Sequence, residues 1–112
     1  PMRTRVTYVI KYVADMDRAV AFFREKLGLE LKFQSPDWSE FSTGETTLAL
    51  HAASDNHPAG SVQIGFGVPD LIAFHGRRAE LGVEFTAAPA AVHGTMIARF
   101  LDSEGAECSI SG

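Results

Sequence analysis

Residues 13–31 (VADMDRAVAFFREKLGLEL) and residues 68–85 (VPDLIAFHGRRAELGVEF) are two versions of one pattern. In each, a Val precedes an Asp by two residues, apolar residues follow at helical spacing, and a Leu-Gly pair ends the segment before a new strand. Asp15 and Asp70 are typical helix N-caps, and Gly after the last apolar residue is typical of a helix C-terminus. The two segments lie about half a chain apart, and such a period predicts two copies of one supersecondary unit.

Short β-rich or alternating runs precede and follow each helical segment, so the sequence predicts the order βαβββ twice. We predict one domain, with a first module at about residues 4–52, a linker at 53–60 and a second module at about 61–112. Residues 86–94 (TAAPAAVHG) are predicted to form a loop. Two small sheets that face each other leave a concave surface between them, and a small ligand is expected there.

Alternation along the predicted strands separates two faces of each sheet. In residues 29–34 (LELKFQ) the apolar residues alternate with polar ones, which predicts that Leu31 and Phe33 share one apolar face. The same period assigns a further set of residues to the face that packs on the helices: Val9, Val13, Leu48, Leu50, Ile64, Phe66, Val68, Cys108 and Ile110. Lys11 falls on this apolar side, and we expect its amine to extend to water at the strand end.

The composition excludes several classes of protein. The 112 residues are 46% hydrophobic and 21% charged, as in a soluble globular domain. A net charge of −4 argues against a nucleic-acid or anionic-membrane surface, since both need clustered Lys and Arg. No apolar run reaches the roughly 18–20 residues that span a bilayer, and the first residues show no apolar leader. The single cysteine, Cys108, excludes an intrachain disulfide. We therefore expect a cytoplasmic protein with no membrane or nucleic-acid partner.

Three segments together resemble the vicinal oxygen chelate superfamily, which includes glyoxalase I, bleomycin resistance proteins and extradiol dioxygenases. They are residues 13–29, residues 47–51 (TLALH) and the late turn 102–105 (DSEG), which is similar to the family's Asp-Pro-Asp-Gly. The resemblance covers almost the whole chain. It implies an α+β fold in which two βαβββ modules form a cup-shaped mixed sheet, the glyoxalase-like fold. It also implies a homodimer, and a cup that holds either a divalent metal or a ligand without one.

The resemblance further implies four metal-ligand positions, which are usually His, Gln or Glu in metal-binding members. They correspond here to Tyr8, Ala49, Gln63 and Ser109. Only Gln63 offers a suitable donor, because Ala49 has none and neutral hydroxyls bind divalent ions weakly. We therefore predict no metal and no other cofactor.

Strand alternation places these positions on the cup face together with other polar and aromatic side chains. The predicted ligand-binding residues are Tyr8, Tyr12, Trp38, His51, Gln63, His93, Glu107 and Ser109. The aromatic rings can form flat walls against a planar ligand, and His93 lies in a loop of the kind that often acts as a lid. His51 and Glu107 are candidates for general base and orienting acid, or for ordinary solvated strand ends. A metal site of His51, Glu107 and either His57 or His93 is a further alternative.

Three functions are compatible with these features. The first is a metal-independent small-molecule binding protein of the glyoxalase/bleomycin resistance type, which sequesters a drug-like or aromatic ligand. The second is a metal-free enzyme of the same fold that uses His51 or Glu107 as acid or base. The third is a metal-dependent lyase or dioxygenase. The missing metal donors favour the first, although a fold alone does not fix a function.

Overall fold

The computed structural model describes residues 3–112, which form eight strands and three short α-helices. The chain divides into two compact units. The first is Thr7–Gln63, and the second is Ile64–Gly112 together with residues 3–6. The predicted α+β class is confirmed, since each helical segment follows one strand and precedes three.

The first unit contains most of β1 and the next three strands. Its elements are β1 (Arg5–Val13), α1 (Met16–Ala21), a π-helical turn (Phe22–Lys26), β2 (Glu30–Gln34), β3 (Trp38–Ser42) and β4 (Thr47–Ala52). The strands are ordered β2-β3-β4-β1. β4 runs parallel to β1, and the other neighbours are antiparallel.

The second unit repeats this arrangement. Its elements are β5 (Val62–Gly67, which begins in the first unit), α2 (Leu71–Gly76), α3 (Arg78–Leu81), β6 (Phe85–Val92), β7 (Thr95–Leu101) and β8 (Glu107–Ser111). The strands are ordered β5-β8-β7-β6, and β8 runs parallel to β5. The two halves of the sequence repeat therefore fold into the same local topology.

The caps of the two helical segments match in detail. The Asp15 carboxylate accepts a hydrogen bond from the backbone N–H of Arg18 at 3.0 Å, and Asp70 accepts one from Ala73 at 3.0 Å. In each case the side chain satisfies an N–H group that the first helical turn leaves unpaired. Past the helix ends the two Leu-Gly pairs place glycine at φ of 68° and 72°, a left-handed conformation that glycine adopts without steric cost.

Two predicted elements differ in the structure. The single helix expected after Asp70 is broken at Arg77, whose backbone (φ −96°, ψ 8°) is not helical. The preceding Gly76 is a poor helix former, which explains the weak point. The loop predicted for residues 86–94 is wrong for most of its length, because strand β6 occupies Phe85–Val92. β6 lies at the edge of its unit's strand order, and its pairing with β7 shifts register around Pro89, which has no N–H to donate.

The helix-facing sides of the strands form the main cores. In the first unit Val20 of α1 packs with Phe41 and Leu50, which are 0% exposed. In the second unit Leu71 of α2 packs with three other buried residues, which are Val68 just after β5, Ala98 of β7 and Ile110 of β8. Full burial of such side chains stabilises the fold by about 1.5–3 kcal/mol each. The helix-facing assignment holds for most of the predicted residues, but Ile64 is 41% exposed.

Lys11 does not extend freely into water, because its Nζ donates a hydrogen bond to the carbonyl oxygen of Gly60 at 3.0 Å. Within residues 3–112, no helix has both the length and the apolar character needed to cross a bilayer.

Candidate ligand-binding site

The face of the first unit that points away from α1 is built on three neighbouring strands. Strand registry aligns β3, β4 and β1 so that side chains on this face form three cross-strand rows. The rows are Trp38–His51–Tyr12, Glu40–Ala49–Ile10 and Ser42–Thr47–Tyr8. The alternation predicted from the sequence therefore brings Tyr8, Tyr12, Trp38 and His51 onto one surface.

Phe33 joins this face because of a register shift in β2. Leu31 pairs with Phe41, but Phe33 pairs with Glu40, so one extra residue separates the two pairs on β2. Such a bulge turns the residues beyond it to the opposite face of the sheet. The next residue supports this reading, since Gln34 turns to the helix side and donates to Asp17 at 3.0 Å. The predicted common face for Leu31 and Phe33 is therefore wrong. Leu31 packs on the helix side, and Phe33 remains 53% exposed on the other.

The rings on this face contact one another in a continuous set. The centroids of Trp38 and Tyr8 are 6.2 Å apart, and those of Trp38 and His51 are 5.8 Å apart with an edge-to-face angle of 88°. The His51 ring lies 5.1 Å from Tyr12. These separations are typical of favourable aromatic pairs. We call this surface, with Phe33 and Glu40 included, the aromatic face.

Tyr12 and Gln63 form the buried edge of the aromatic face. The Tyr12 hydroxyl donates a hydrogen bond to Gln63 Oε1 at 3.2 Å, and the two residues are 5% and 7% exposed. The Tyr12 ring also stacks on His57, with centroids 4.4 Å apart and planes 14° apart. His57 of the predicted linker, which the sequence suggested only as an alternative metal ligand, therefore packs against the buried edge of the aromatic face.

His51 has a defined hydrogen-bonding arrangement. Its Nδ1 lies 2.8 Å from the carbonyl oxygen of Ala52. A carbonyl oxygen can only accept, so Nδ1 carries the hydrogen and Nε2 is the ring nitrogen left to accept from a ligand when the imidazole is neutral.

Glu40 is the acidic residue of the aromatic face. One carboxylate oxygen, Oε2, accepts a hydrogen bond from the Trp38 indole Nε1 at 2.8 Å. Burial of the Tyr8 phenol, and secondly the negative charge of Glu40, raise the pKa of Tyr8 above its ordinary value. The Tyr8 hydroxyl is therefore protonated at neutral pH, and Glu40 is the anionic group of this surface.

The residues at the four implied metal positions do not fit a divalent ion. In the first unit Ala49 offers no donor and is 0% exposed, Tyr8 offers a protonated phenol, and Gln63 Oε1 already accepts from Tyr12. Ser109, in the second unit, adds only a neutral hydroxyl. Across residues 3–112, no three His, Cys, Asp or Glu side chains gather closely enough to hold a metal.

Glu107 lies in a polar cluster of the second unit. One of its carboxylate oxygens, Oε2, accepts a hydrogen bond from Thr86 Oγ1 at 2.8 Å and lies 3.4 Å from Arg99 Nε. Ser109, two residues along β8, pairs in register with Arg99. These contacts hold the Glu107 carboxylate as an ion-paired hydrogen-bond acceptor within this cluster.

His93 lies at the tip of the β6–β7 hairpin. Val92 and Thr95 pair across it, so His93 and Gly94 form a two-residue turn with φ of 49° and 82°. Two successive positive φ values are typical of a type I′ hairpin turn. The His93 side chain is exposed at this tip.

The surface beside α1 contains two depressions lined in part by Asp17 and Gln34. They lie on the helix side of β2. Asp17 and Gln34 are hydrogen-bonded to each other, and Asp15, which also lines the first, caps α1. These groups are engaged in holding the helix, so we assign them no ligand.

Sequence reasoning missed Glu40 and Phe33. Alternation along β3 would have found Glu40, because it lies two residues after Trp38 on the same face. No sequence signal marks the bulge that turns Phe33, since that register depends on pairing between strands.

Comparisons with known proteins agree with this fold. Solved structures that match include methylmalonyl-CoA epimerase from Mycobacterium tuberculosis, at 19% identity and a TM-score of 0.78, covering 95% of this chain and 85% of that one. A hypothetical protein, BH1468 from Bacillus halodurans C-125, matches at 15% identity and a TM-score of 0.77, covering 96% and 93%. A structure described as NAD-dependent benzaldehyde dehydrogenase from Legionella pneumophila matches at 16% identity and a TM-score of 0.74, covering 99% and 97%.

At these identities the structural likeness concerns the fold alone. No curated protein sequence matches the chain. The model of one protein family matches residues 5–110, nearly the full length. The chain therefore belongs to the Glyoxalase/Bleomycin resistance protein/Dioxygenase superfamily.

Proposed function

We propose that this protein binds a small planar organic molecule on the aromatic face, without a metal ion. The observation that supports this most strongly is the exposed ring of Phe33, which the bulge in β2 turns onto the same surface as Trp38 and Glu40. A half-exposed aromatic ring beside other rings and one polar anchor is typical of a small-molecule site.

The absence of suitable donors at the family's metal positions supports the metal-independent part of this proposal. Ala49 occupies the centre of the face with a methyl group, and the buried residues packed with it, Ile10 and Tyr12, offer no carboxylate, thiolate or imidazole donor. We expect addition of zinc, nickel or a chelator to leave Tm unchanged. A ligand that binds only the folded protein raises Tm by mass action, so planar compounds can be screened in the same assay.

Phe33 and Phe22 provide a matched pair for locating the site. Both rings are about half exposed, at 53% and 49%, but Phe22 lies in the π-helical turn after α1. We expect Phe33→Ala to weaken binding of any compound found in the screen by about five-fold or more, since the lost ring contact is worth about 1 kcal/mol. Phe22→Ala should change the affinity by less than two-fold. Equal effects of the two substitutions would contradict the proposed location.

The second candidate function is that of a metal-free enzyme, and His51 is the residue that favours it. Its Nδ1 is fixed on the Ala52 carbonyl oxygen, which leaves Nε2 to take a proton from a bound molecule. Glu107 is the weaker candidate because of its contacts with Arg99 and Thr86. The test is deuterium exchange at an acidic C–H of a bound compound in D₂O. Exchange that His51→Ala abolishes supports this function, whereas exchange that survives the substitution excludes His51 as base.

The remaining expectations are also proposals. A homodimer is proposed from the family resemblance, and sedimentation velocity measures it directly. Sequestration of a drug is one use of a binding protein of this kind, and it requires only that the aromatic face bind the compound tightly.

A further inference from the structure

Glu40 is the only carboxylate in the three cross-strand rows of the aromatic face, whose other side chains are aromatic rings, aliphatic groups, hydroxyls and the His51 imidazole. It pairs in register with Phe33 on one side and with Ala49 on the other, and Trp38 lies two residues before it on the same strand. Its side chain is only partly buried. The carboxylate therefore lies among the aromatic residues of this face, hydrogen-bonded to the edge of the Trp38 indole, and is partly accessible.

The protein does not neutralise this carboxylate. Its hydrogen bond comes from the neutral Trp38 indole, and Oε2 is the oxygen that accepts it. Within residues 3–112 no Lys or Arg forms an ion pair with Glu40, in contrast to Glu80 and Glu107, which pair with Arg77 and Arg99. The negative charge of Glu40 also contributes, after burial, to the raised pKa of the nearby Tyr8 phenol.

Aromatic rings also favour positive charge. The face of an indole, phenol or phenyl ring is electron-rich and attracts a cation placed within about 6 Å of its centroid. An organic cation bound among Phe33, Trp38 and Tyr8 would meet ring faces and the Glu40 carboxylate together. An anion would meet repulsion, and a neutral molecule would gain only ring contacts.

We infer that the aromatic face selects organic cations, with a quaternary or protonated amine against Glu40 and a flat apolar body against the rings. This inference rests on the proposed function, because it names the class of ligand for that same site. The protein's net charge of −4 adds a weak attraction for such ligands.

The test compares three naphthalene compounds of similar size. They are (2-naphthylmethyl)trimethylammonium, which is cationic, 2-naphthalenemethanol, which is neutral, and 2-naphthoate, which is anionic. Trp38 is the only tryptophan in the chain, so its indole N–H gives one NMR signal that reports directly on this face. We expect the cation to bind at least about five-fold more tightly than the alcohol, and the carboxylate to bind most weakly.

Two substitutions with the same change in net charge isolate the role of Glu40. Glu40→Gln keeps an oxygen that can accept from Trp38 but removes the charge, and we expect it to bring the affinity for the cation down to that for the alcohol. The alcohol's own affinity should change by less than two-fold. Glu45→Gln alters an exposed glutamate in the β3–β4 turn and should preserve the five-fold preference.

The outcomes separate the two proposals. If none of the three compounds shifts the Trp38 signal, the proposed function fails, and this inference fails with it. If the alcohol or the carboxylate binds as tightly as the cation, or if Glu40→Gln keeps the preference, the face binds small molecules but the inferred selectivity is wrong.

Discussion

Replacing Tyr12 with Phe tests how the buried edge of the aromatic face is held in place. The substitution keeps the ring and removes the hydroxyl that donates to Gln63 Oε1 at 3.2 Å. Both residues are more than nine-tenths buried, so water does not readily replace the lost donor. A typical hydrogen bond contributes about 1 kcal/mol net, and removing one partner from a buried group costs about 1–3 kcal/mol. We expect the free energy of unfolding to fall by about 1–3 kcal/mol, and Tm by about 4 °C for each kcal/mol in a domain of this size.

Tyr8→Phe is the matched control, because it makes the same chemical change on the same strand. The Tyr8 ring is partly exposed, and within the described chain its hydroxyl has no hydrogen-bond partner. We expect this variant to lie within about 0.5 kcal/mol of the parent. Urea unfolding followed by Trp38 fluorescence measures both variants, and equal m-values show that the comparison is valid. Equal losses of stability for the two variants would refute the structural role assigned to Tyr12 and Gln63.

Three further predictions follow from other parts of the molecule. Asp15→Ala and Asp70→Ala should each lower the free energy of unfolding in urea by about 1 kcal/mol, and a loss at only one cap would contradict their equivalence. Burial, and then the charge and hydrogen bond of Asp102, raise the pKa of the Cys108 thiol, so iodoacetamide should alkylate the native protein more slowly at pH 8 than the urea-unfolded chain. The native thiol stays protonated to a higher pH than the thiol of the unfolded chain. The free energy of unfolding should therefore fall as pH rises past the unfolded thiol's pKa, and a free energy of unfolding that rises there would contradict the shift. His93→Val should lower stability by about 1–2 kcal/mol, since a β-branched residue opposes the positive φ, whereas His93→Asn should be neutral or stabilising. A tolerated Val would disprove the turn geometry.

The sequence predicts the features that depend on short stretches of chain. The two helix starts follow from Asp15 and Asp70, whose carboxylates act within three residues. The helix ends follow from the Leu-Gly pairs. The periodicity of two along β1 and β4 also predicts correctly which of their residues share the aromatic face, because the two strands pair without a register shift.

The features that sequence reasoning missed depend on how strands pair. Alternation with Leu31 predicts that Phe33 lies on the apolar face of β2. The pairing with β3 instead introduces one extra residue between them, which places Phe33 on the opposite face. The Ala- and Pro-rich composition of β6 predicts a loop. Pairing with β7 overrides this weak local preference against a strand. Phe33, the residue that most strongly supports the proposed binding site, is thus one that local patterns describe poorly.

The most direct test of metal-independent binding on the aromatic face is a crystal structure of the protein with the tightest-binding planar compound, prepared without chelator. We predict electron density for its ring system against Trp38 and Phe33, with no metal ion between the compound and the protein. A compound bound elsewhere on the chain, or one held through a metal ion coordinated by side chains, would contradict this account.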